Sequence, residues 1–388
     1  MPFFHGIKVN EPTDGARPML DVAMAVIGLV ATAPDADAGA FPLNEPVLFT
    51  DVRAALGKAG EEGTLAAALQ DIANQCSPVL VIVRVAPGVA SGDDTAQEAT
   101  DANVIGGYAS GRYTGLQALL TAEAKTGVRP RILGCPGLDT QAVALALEVV
   151  AKKLRAFAYT SCDVADTVPE AVLYREQFAA REHMLIWPNF SSGFSGRAVA
   201  VALGTRARID QEIGWHKSLS NVAVAGVSGM TYDVTFDLVG DAHDAAILNQ
   251  APVTTIVRTG AGYRFWGNRT TSDDLLFAFE PSVRTSHFLQ DTIAQGLLWA
   301  VDRPITRHLV TDVLESVNAK FRALSRPGPG QRLIGAVAYF DPVQNPPADL
   351  AAGKLVIDYE YTPAAPAEGI TLNQRKTDRF YADLTKSV

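Results

Sequence analysis

The stretch GYRFWGNRT, residues 262–270, brings together side-chain types that bind nucleotides and sugars. Its aromatic residues Tyr263, Phe265 and Trp266 could stack on a base or a sugar ring, and the arginines among them could hold a phosphate. The same composition, with glycines interspersed, also suits a structural corner where a strand meets a turn. Which interpretation holds depends on whether the rest of the chain supplies a binding site.

No catalytic or phosphate-binding motif accompanies this stretch. A P-loop needs Ser or Thr directly after its Gly-Lys pair, and neither Gly57-Lys58 nor Gly353-Lys354 is followed by one. The serine strings GFSG and GVSG lack the spacing of a nucleophile elbow. No two histidines have the HExxH spacing that places two imidazoles on one helix face. The histidines are His5, His183, His216, His243, His287 and His308.

The cysteines and the adjacent carboxylates also predict structural roles. The three cysteines are widely separated and form no CxxC pair, so we expect buried thiols without metal or redox chemistry. They are Cys76, Cys135 and Cys162. The pairs Asp93-Asp94 and Asp273-Asp274 are expected in solvated turns, because neighbouring carboxylates seldom acquire the separate pKa values that acid–base catalysis requires. We therefore expect no catalytic residue, cofactor site or metal site.

Composition narrows the classes of partner. The 388 residues carry 33 Lys and Arg against 42 Asp and Glu, a net charge of -9, which argues against a nucleic-acid-binding face. Charged residues make up only 19%, below the roughly 25% of ordinary soluble domains, so much of the surface is expected to be buried against other proteins. The longest apolar run, Val22 to Ala33, is too short to span a membrane, and the start does not resemble a secretory signal. We expect folding in the cytoplasm.

Periodicity predicts two domains between two arms. From residue 21 to 255, short apolar runs such as PVLVIVRV alternate with amphipathic runs such as DTQAVALALEVVAKKL, which is typical of a layered α/β domain with a largely parallel sheet. Residues 256–370 combine long helices with the strands QRLIGAVAYF and KLVIDYEYTP, which is typical of an α+β domain. Residues 1–20 and 371–388 are predicted as extended arms.

Each arm contains a short strand pattern. Ile7 and Val9 alternate with polar residues near the start, and Phe380, Ala382 and Leu384 do so near the end. Proline- and glycine-containing segments separate both patterns from the domains. From the pattern alone, each strand could return to its own sheet or complete a neighbour's sheet by β-augmentation.

Several segments together resemble one known family. FFHGIKV at the start, PRILGCPGLDT, AKKLRAFAY, GYRFWGNRTTSDDLLFAFE and LLWAVDRPIT are similar to the sheath proteins of contractile phage tails. The similarity is to the temperate enterobacterial myophage type, which is related to R-type bacteriocin sheaths, and it extends over nearly the whole chain. It implies a structural protein without a catalytic site or cofactor. The alternative from composition alone is an α/β hydrolase or nucleotide-binding enzyme, which the missing motifs disfavour.

The resemblance also implies an assembly and its partners. Subunits would polymerise helically around a tail tube and contract to drive it through the bacterial envelope, with an outer α/β domain and an inner α+β domain. Both arms would cross into neighbouring subunits. Tube, baseplate and tail terminator proteins would be partners, without nucleic acid or membrane insertion, in a virion tail assembled in the host cytoplasm.

Two sets of residues acquire specific expectations from this family. GYRFWGNRT becomes a strand and tight turn of the inner domain, with Gly267 and Asn268 in left-handed conformations and with Trp266 and Phe265 on opposite faces. The basic residues of the helix ITRHLVTDVLESVNAKFRALSR are candidates for meeting acidic groups on the tube. These are Arg307, Lys320, Arg322 and Arg326.

Overall fold

A computed structural model describes residues 17–381 except 93, 163 and 192. The strands are β1 Val26–Thr32, β2 Pro46–Phe49, β3 Val79–Val85, β4 Tyr108–Ala109, β5 Arg112–Tyr113, β6 Ile132–Gly134, β7 Phe157–Ser161, β8 His183–Ile186, β9 Val253–Thr259, β10 Gly262–Trp266, β11 Leu333–Tyr339 and β12 Asp358–Pro363. The α-helices are α1 Val52–Leu56, α2 Leu65–Ala73, α3 Ala96–Ile105, α4 Gly115–Ala118, α5 Ala122–Thr126, α6 Gln141–Leu154, α7 Val168–Arg175, α8 Arg197–Glu212, α9 Asp244–Gln250, α10 Glu280–Gly296, α11 Arg307–Ser325 and α12 Pro347–Ala351. Short 3₁₀ turns cover Leu119–Thr121, Leu275–Phe277 and Leu298–Ala300.

Eight strands form one large sheet in the order β10-β9-β8-β7-β6-β1-β3-β2. The strands from β9 to β3 run parallel, whereas β10 and β2 pair antiparallel at the two edges. The inner strands read as continuous apolar runs because helices cover both faces. The α/β prediction for this part of the chain therefore agrees with the structure.

Alternate residues of β1 serve two separate cores. Ile27 and Leu29 face one side of the sheet, where they pack among residues of α2 and α8. Val26 and Val30 face the other side, where α4 and α6 contribute apolar side chains. This division follows from the two-residue period of a strand. Both faces of the large sheet are thereby closed from solvent by helices.

A smaller unit lies at the end of the chain. In it, α11 packs against β11, and β11 pairs antiparallel with β12 to form a two-stranded sheet. The core of this unit includes Phe288 from α10 and Phe321 from α11. Met19 and Met24 from the beginning of the chain are buried in the same core. The smaller unit is therefore built from both ends of the described chain.

The predicted boundary between residues 255 and 256 is wrong, because it falls inside β9. Leu185 pairs with Val253, which joins β9 to the large sheet, and β10 extends that sheet as a hairpin. The β-rich sequence of this antiparallel hairpin suggested the start of a new α+β domain. The hairpin is instead the edge of the large parallel sheet. GYRFWGNRT consequently begins in the large sheet rather than in the C-terminal unit. No helix among the residues that the structure describes combines the length and apolar character needed to cross a bilayer.

Candidate assembly surfaces

The chain does not form the tight turn predicted at Gly267 and Asn268. The β9–β10 hairpin turns through Gly260 and Ala261, directly after Thr259. Gly267 has a φ of 140°, and a Cβ atom there would lie 2.8 Å from the Cα of Thr254, so glycine is required where the chain leaves the sheet. Asn268 does not adopt a positive φ, which contradicts its predicted left-handed conformation. It instead accepts a hydrogen bond on its backbone oxygen from the backbone N–H of Glu280, 3.0 Å away, and so ties the strand end to α10.

The aromatic residues of this stretch are structural. Phe265 is fully buried in the core of the large sheet. Trp266 packs edge-on against Phe236, with 5.0 Å between ring centroids. Arg264 donates to the Asn221 side chain at 2.6 Å, and Arg269 pairs with Glu368. The side chains that suggested a nucleotide platform are therefore occupied by contacts within the chain.

The base of the N-terminal arm is fixed to α10 and α11. The backbone N–H of Arg17 donates to the hydroxyl of Ser316 at 3.0 Å. Asp21 forms ion pairs with Lys320 and, at 3.1 Å, with Arg332. Buried Met19 packs so closely on Gly296 that a Cβ atom there would lie 2.5 Å from its Cγ. Several independent contacts thus hold residues 17–21 against α10 and α11 and the segment after α11.

The C-terminal segment is exposed after β12. Ile370 and Leu372 are 78% and 86% exposed, and Phe380 is 61% exposed. Phe380 lies in a turn rather than in the predicted strand. The other residues predicted in the arm strands lie outside the described residues: Ile7, Val9, Ala382 and Leu384. The described part of the C-terminal arm therefore carries large apolar side chains that its own subunit does not cover.

The sheet of β11 and β12 has open edges among the described residues. Each of its two strands pairs only with the other, from Tyr339 opposite Asp358 to Leu333 opposite Pro363. Ile334 and Val337 are 61% and 48% exposed. Unpaired strand edges with exposed apolar side chains are templates for a further strand. This small sheet is consequently a candidate strand acceptor.

The basic residues predicted to meet the tube divide into two groups. Arg307, Arg322 and Arg326 are exposed, and within the described residues their guanidinium groups form no ion pair. Lys320 does not belong with them, because its ammonium group donates to the backbone oxygen of Met19 at 2.8 Å and pairs with Asp21. Its side chain is only 12% exposed. The ammonium group of Lys320 is therefore engaged within the subunit, whereas the three arginine side chains are available, and contact of any of the four with the tube stays a prediction.

A buried ionic network joins the large sheet to the start of α10. Glu280 accepts hydrogen bonds from the hydroxyl of Tyr159 at 2.6 Å and from Arg206 at 3.0 Å. Arg284 and Arg206 both pair with Asp210, at 2.6 Å and 2.8 Å. Burial opposes ionisation of Glu280, but the two guanidinium groups hold its pKa below the usual value. Two positive and two negative groups thus balance inside the protein.

A second network holds the other end of α10. Asp291 is 4% exposed and pairs with three arginines from the large unit: Arg129 at 3.4 Å, Arg155 at 2.6 Å, and Arg131. Burial lowers the pKa of Arg131, and the charge of Asp291 opposes that effect. Because Glu280 and Asp291 lie three turns apart on α10, the helix is attached at both ends. The two units of the chain are therefore joined by buried charge pairs as well as by backbone.

The structure assembles no recognisable catalytic or metal centre among the residues it describes. No cluster of three or more His, Cys, Asp or Glu side chains has the geometry of a metal site in that part of the chain. His183 is buried within 2.6 Å of the Thr160 hydroxyl, and His5 lies outside the described residues. Asp273 is 87% exposed and pairs with Arg175, while the carboxylate of Asp274 caps a 3₁₀ turn.

The cysteines are free thiols, and two of the three are buried as predicted. Cys135 and Cys162 are buried, whereas Cys76 is half-buried. Burial raises the pKa of Cys76 to about 12 and that of Cys135 well above the usual value, which leaves both thiols protonated and unreactive. These residues belong to the packing of the large unit.

Sequence reasoning missed the ionic contacts. The pairs Arg206/Asp210 and Glu280/Arg284 have the i, i+4 spacing of facing residues on a helix, in segments otherwise rich in apolar and small residues. That spacing was the available signal for the network. Nothing in the sequence signals the pairing of Arg269 with Glu368, because 98 residues separate them.

Three family models match consecutive parts of the chain. The tail sheath protein Gp18 domain III N-terminal region matches residues 25–85, the phage tail sheath protein central domain matches residues 111–271, and the phage tail sheath C-terminal domain matches residues 272–377. The junction at 271 follows β10 and precedes α10, where the large sheet ends. The matches thus agree with the structural division better than the predicted boundary at 255.

Whole-length relatives and solved structures agree with these matches. The chain is 49% identical to the tail sheath protein of Escherichia phage P2, covering 100% of this chain and 98% of the relative. It is 50% identical to the major tail sheath protein of Serratia phage KSP20, covering 98% and 96%. The fold resembles the helical sheath of the anti-feeding prophage in its contracted state, with a TM-score of 0.71, 18% identity and coverage of 97% and 100%. It also resembles the sheath complex of the contracted extracellular contractile injection system PVC, with a TM-score of 0.70, 15% identity and coverage of 98% and 99%.

Proposed function

This chain belongs to the phage tail sheath protein family, and we propose that it is the repeating subunit of a contractile tail sheath. The subunits polymerise helically around a tail tube and then shorten to drive the tube through the bacterial envelope. The observation that carries the proposal is whole-length similarity to phage tail sheath proteins, in a chain that leaves strand edges open and an arm uncovered. The enzyme alternative has no support, and we propose a purely structural role.

The mechanics follow from how the subunits would contact one another. Head-to-tail contacts that do not close into a ring generate an open helix. An extended helix can be held in a kinetically trapped state and release free energy as subunits move to more extensive contacts. The buried charge pairs at both ends of α10 support movement of each subunit as one body, since separating its two units would leave buried charges unpaired.

Both arms are proposed to exchange between subunits. The strands carrying Ile7 and Val9 and those carrying Phe380, Ala382 and Leu384 would add to open edges of β11 and β12 in neighbouring subunits. Such pairing would satisfy backbone groups at both edges and bury exposed Val337 and Ile334. It would connect neighbouring subunits while the helix rearranges.

The small C-terminal unit is proposed to face the tube, with the large sheet outside. Three exposed arginines on or beside α11, which form no ion pair with any described residue, support this orientation: Arg307, Arg322 and Arg326. The charge distribution favours the same direction, because residues 256–388 carry one net positive charge whereas residues 1–255 carry ten net negative charges. Acidic groups on the tube would be their partners.

Further partners are proposed from the same family. Resemblance to the anti-feeding prophage baseplate structures supports contact of terminal sheath subunits with a baseplate. A terminator protein would contact the opposite end. Assembly would take place in the host cytoplasm and yield a virion tail, without nucleic acid or membrane insertion.

Negative-stain electron microscopy tests the proposal. The purified full-length chain, alone and mixed with its tail tube protein, should form striated tubes. Discrete small particles under every condition of salt and protein concentration would contradict the sheath function.

A further inference from the structure

We propose that the ion pair between Arg269 and Glu368 is a latch that fixes where the C-terminal arm leaves its own subunit, and thereby directs the arm to one neighbour. The inference rests on the proposed sheath function and adds positioning residues to it. Glu368 lies five residues after the end of β12, and Arg269 lies between β10 and α10. The latch thus connects the arm to the junction of the two units.

Within the part of the chain that the structure describes, the latch is the single polar attachment of residues 364–381. Nε and Nη2 of Arg269 donate to the two carboxylate oxygens of Glu368 at 2.8 Å and 2.6 Å. Among the described residues, no other hydrogen bond or ion pair joins residues 364–381 to the rest of the chain. Clefts of about 600 Å³ and 300 Å³ lie beside this pair and are lined in part by the same Glu368. Residues 369–381 are exposed throughout, so the pair is the last polar contact before the exposed part of the arm.

The geometry of the pair suits a positioning role. A bidentate arginine–carboxylate pair constrains direction as well as distance, because two parallel hydrogen bonds share one plane. Arg269 is itself held in place: its backbone bridges to Phe279, and its guanidinium lies 5.3 Å from the ring centroid of that residue. A fixed arginine therefore defines both the position and the initial heading of the arm.

The base of the N-terminal arm is attached to its own subunit in a different way. Its base is held by the contacts of Arg17, Met19 and Asp21 described above, so its departure point does not depend on any one ion pair. Only the C-terminal arm depends on a single contact. Changing that contact should alter the arm without altering the fold.

Chain geometry gives the consequence of opening the latch. With the latch closed, the free arm begins at residue 369, and the 12 residues from Glu368 to Phe380 can span at most about 40 Å. Opening the latch can release as many as the five residues after Pro363, which adds at most about 17 Å of reach at roughly 3.4 Å per residue. A longer arm without a fixed direction could reach acceptor strand edges on more than one neighbouring subunit.

The first experiment measures the latch in the full-length subunit. Nitroxide labels on Gln250→Cys and Thr371→Cys, both at exposed positions, report the distance between the large unit and the arm by pulsed electron paramagnetic resonance. Arg269→Glu and Glu368→Arg should each broaden the distance distribution and raise the unlatched fraction about fivefold, the effect of losing an ion pair at the strong end for exposed pairs. The double variant should restore the narrow distribution. An unchanged distribution in both single variants would show that no latch exists.

The second experiment measures what the latch does in assembly. The single variants should melt like wild type but yield sheaths that are short or irregular by electron microscopy, and the double variant should restore regular sheaths. The matched control is Arg112→Glu, which breaks a surface ion pair of 2.7 Å to Glu45 that lies far from the arm in sequence and should leave sheaths regular. Regular sheaths from the single variants despite broadened distances would refute the directing role. Absence of sheaths from the wild type as well would refute the proposed function, while the distance measurement would still report whether the latch closes.

Discussion

Replacing the buried Glu280 by glutamine should destabilise the protein far more than the same replacement at a surface glutamate. Glu280 is fully buried and contributes one of the two negative charges that balance Arg206 and Arg284. Glutamine would leave these two cations with Asp210 alone, and its amide would place a donor where a carboxylate oxygen accepts from the backbone N–H of Leu219 at 3.0 Å. Breaking a buried ion pair in this way costs about 3–5 kcal/mol. The matched change Glu45→Gln, at a surface ion pair, should cost less than about 1 kcal/mol.

Thermal melting followed by circular dichroism measures the difference. An unfolding entropy of about 2.1 cal/mol/K per residue, applied to the whole chain, converts 3–5 kcal/mol into a fall of roughly 4–6 °C in Tm. The double variant Glu280→Gln/Arg206→Met should be less destabilised than the sum of its single variants, because it removes a cation together with its partner. A Tm for Glu280→Gln within 1 °C of wild type would refute the assignment of Glu280 as a buried, paired carboxylate.

The same variant has a predictable pH dependence. The folded state lowers the pKa of Glu280 below its ordinary value of 4.5, so ionised Glu280 stabilises the fold above that pH. The stabilisation is lost as the pH falls through the lower, folded-state pKa. The gap in unfolding free energy between wild type and Glu280→Gln should therefore shrink on acidification below 4.5. A gap that widens instead would contradict the direction of the pKa shift.

Three further changes test other parts of the structure. Deleting Leu372–Val388 should leave a soluble, cooperatively melting subunit that forms no sheath, because each subunit lacks the strand proposed for its neighbour; loss of the melting transition, or normal sheaths, would contradict arm exchange. Reversing Arg307 and Arg322 to glutamate should weaken sheath assembly on the tube and reduce its sensitivity to salt, as sedimentation at several salt concentrations would measure; unchanged assembly would exclude this face. Gly267→Ala should destabilise the fold by about 1–3 kcal/mol in chemical denaturation, because its φ of 140° and the approach of Thr254 both disfavour a side chain; a neutral effect would indicate that the strand end relaxes freely.

The sequence predicted the large sheet well because its strands are buried on both faces. Apolar runs such as VIGLVAT and VLVIVRV, when they alternate with amphipathic helices, strongly predict buried strands of a parallel sheet. The boundary at residue 255 failed because local pattern cannot reveal that β9 pairs with β8, whose partner residues lie about 70 positions earlier.

The assembly residues were harder to predict for the same physical reason. Lys320 looks like any exposed lysine in the sequence, and only the return of residues 17–24 to α11 shows that its charge is used internally. The failed prediction at Asn268 has a local cause, since the glycine before it absorbs the unusual backbone conformation. Contacts between distant segments determined the outcome at Lys320, and a one-dimensional pattern does not contain them.

The packing of residues 17–24 against α10 and α11 has a consequence for synthesis on the ribosome. The N–H of Val22 lies 3.5 Å from the hydroxyl of Thr292, and that of Arg17 meets Ser316, so these partners are translated 270 and 299 residues apart. At about 5–20 residues per second, the first segment waits roughly 15–60 s for its partners to emerge. The large sheet can form during this interval, because all of its strands precede α10, whereas β11 and β12 emerge later. If β11 and β12 accept a neighbour's arm as proposed, a nascent chain presents no acceptor strand until its large sheet has been made, which would limit polymerisation on polysomes.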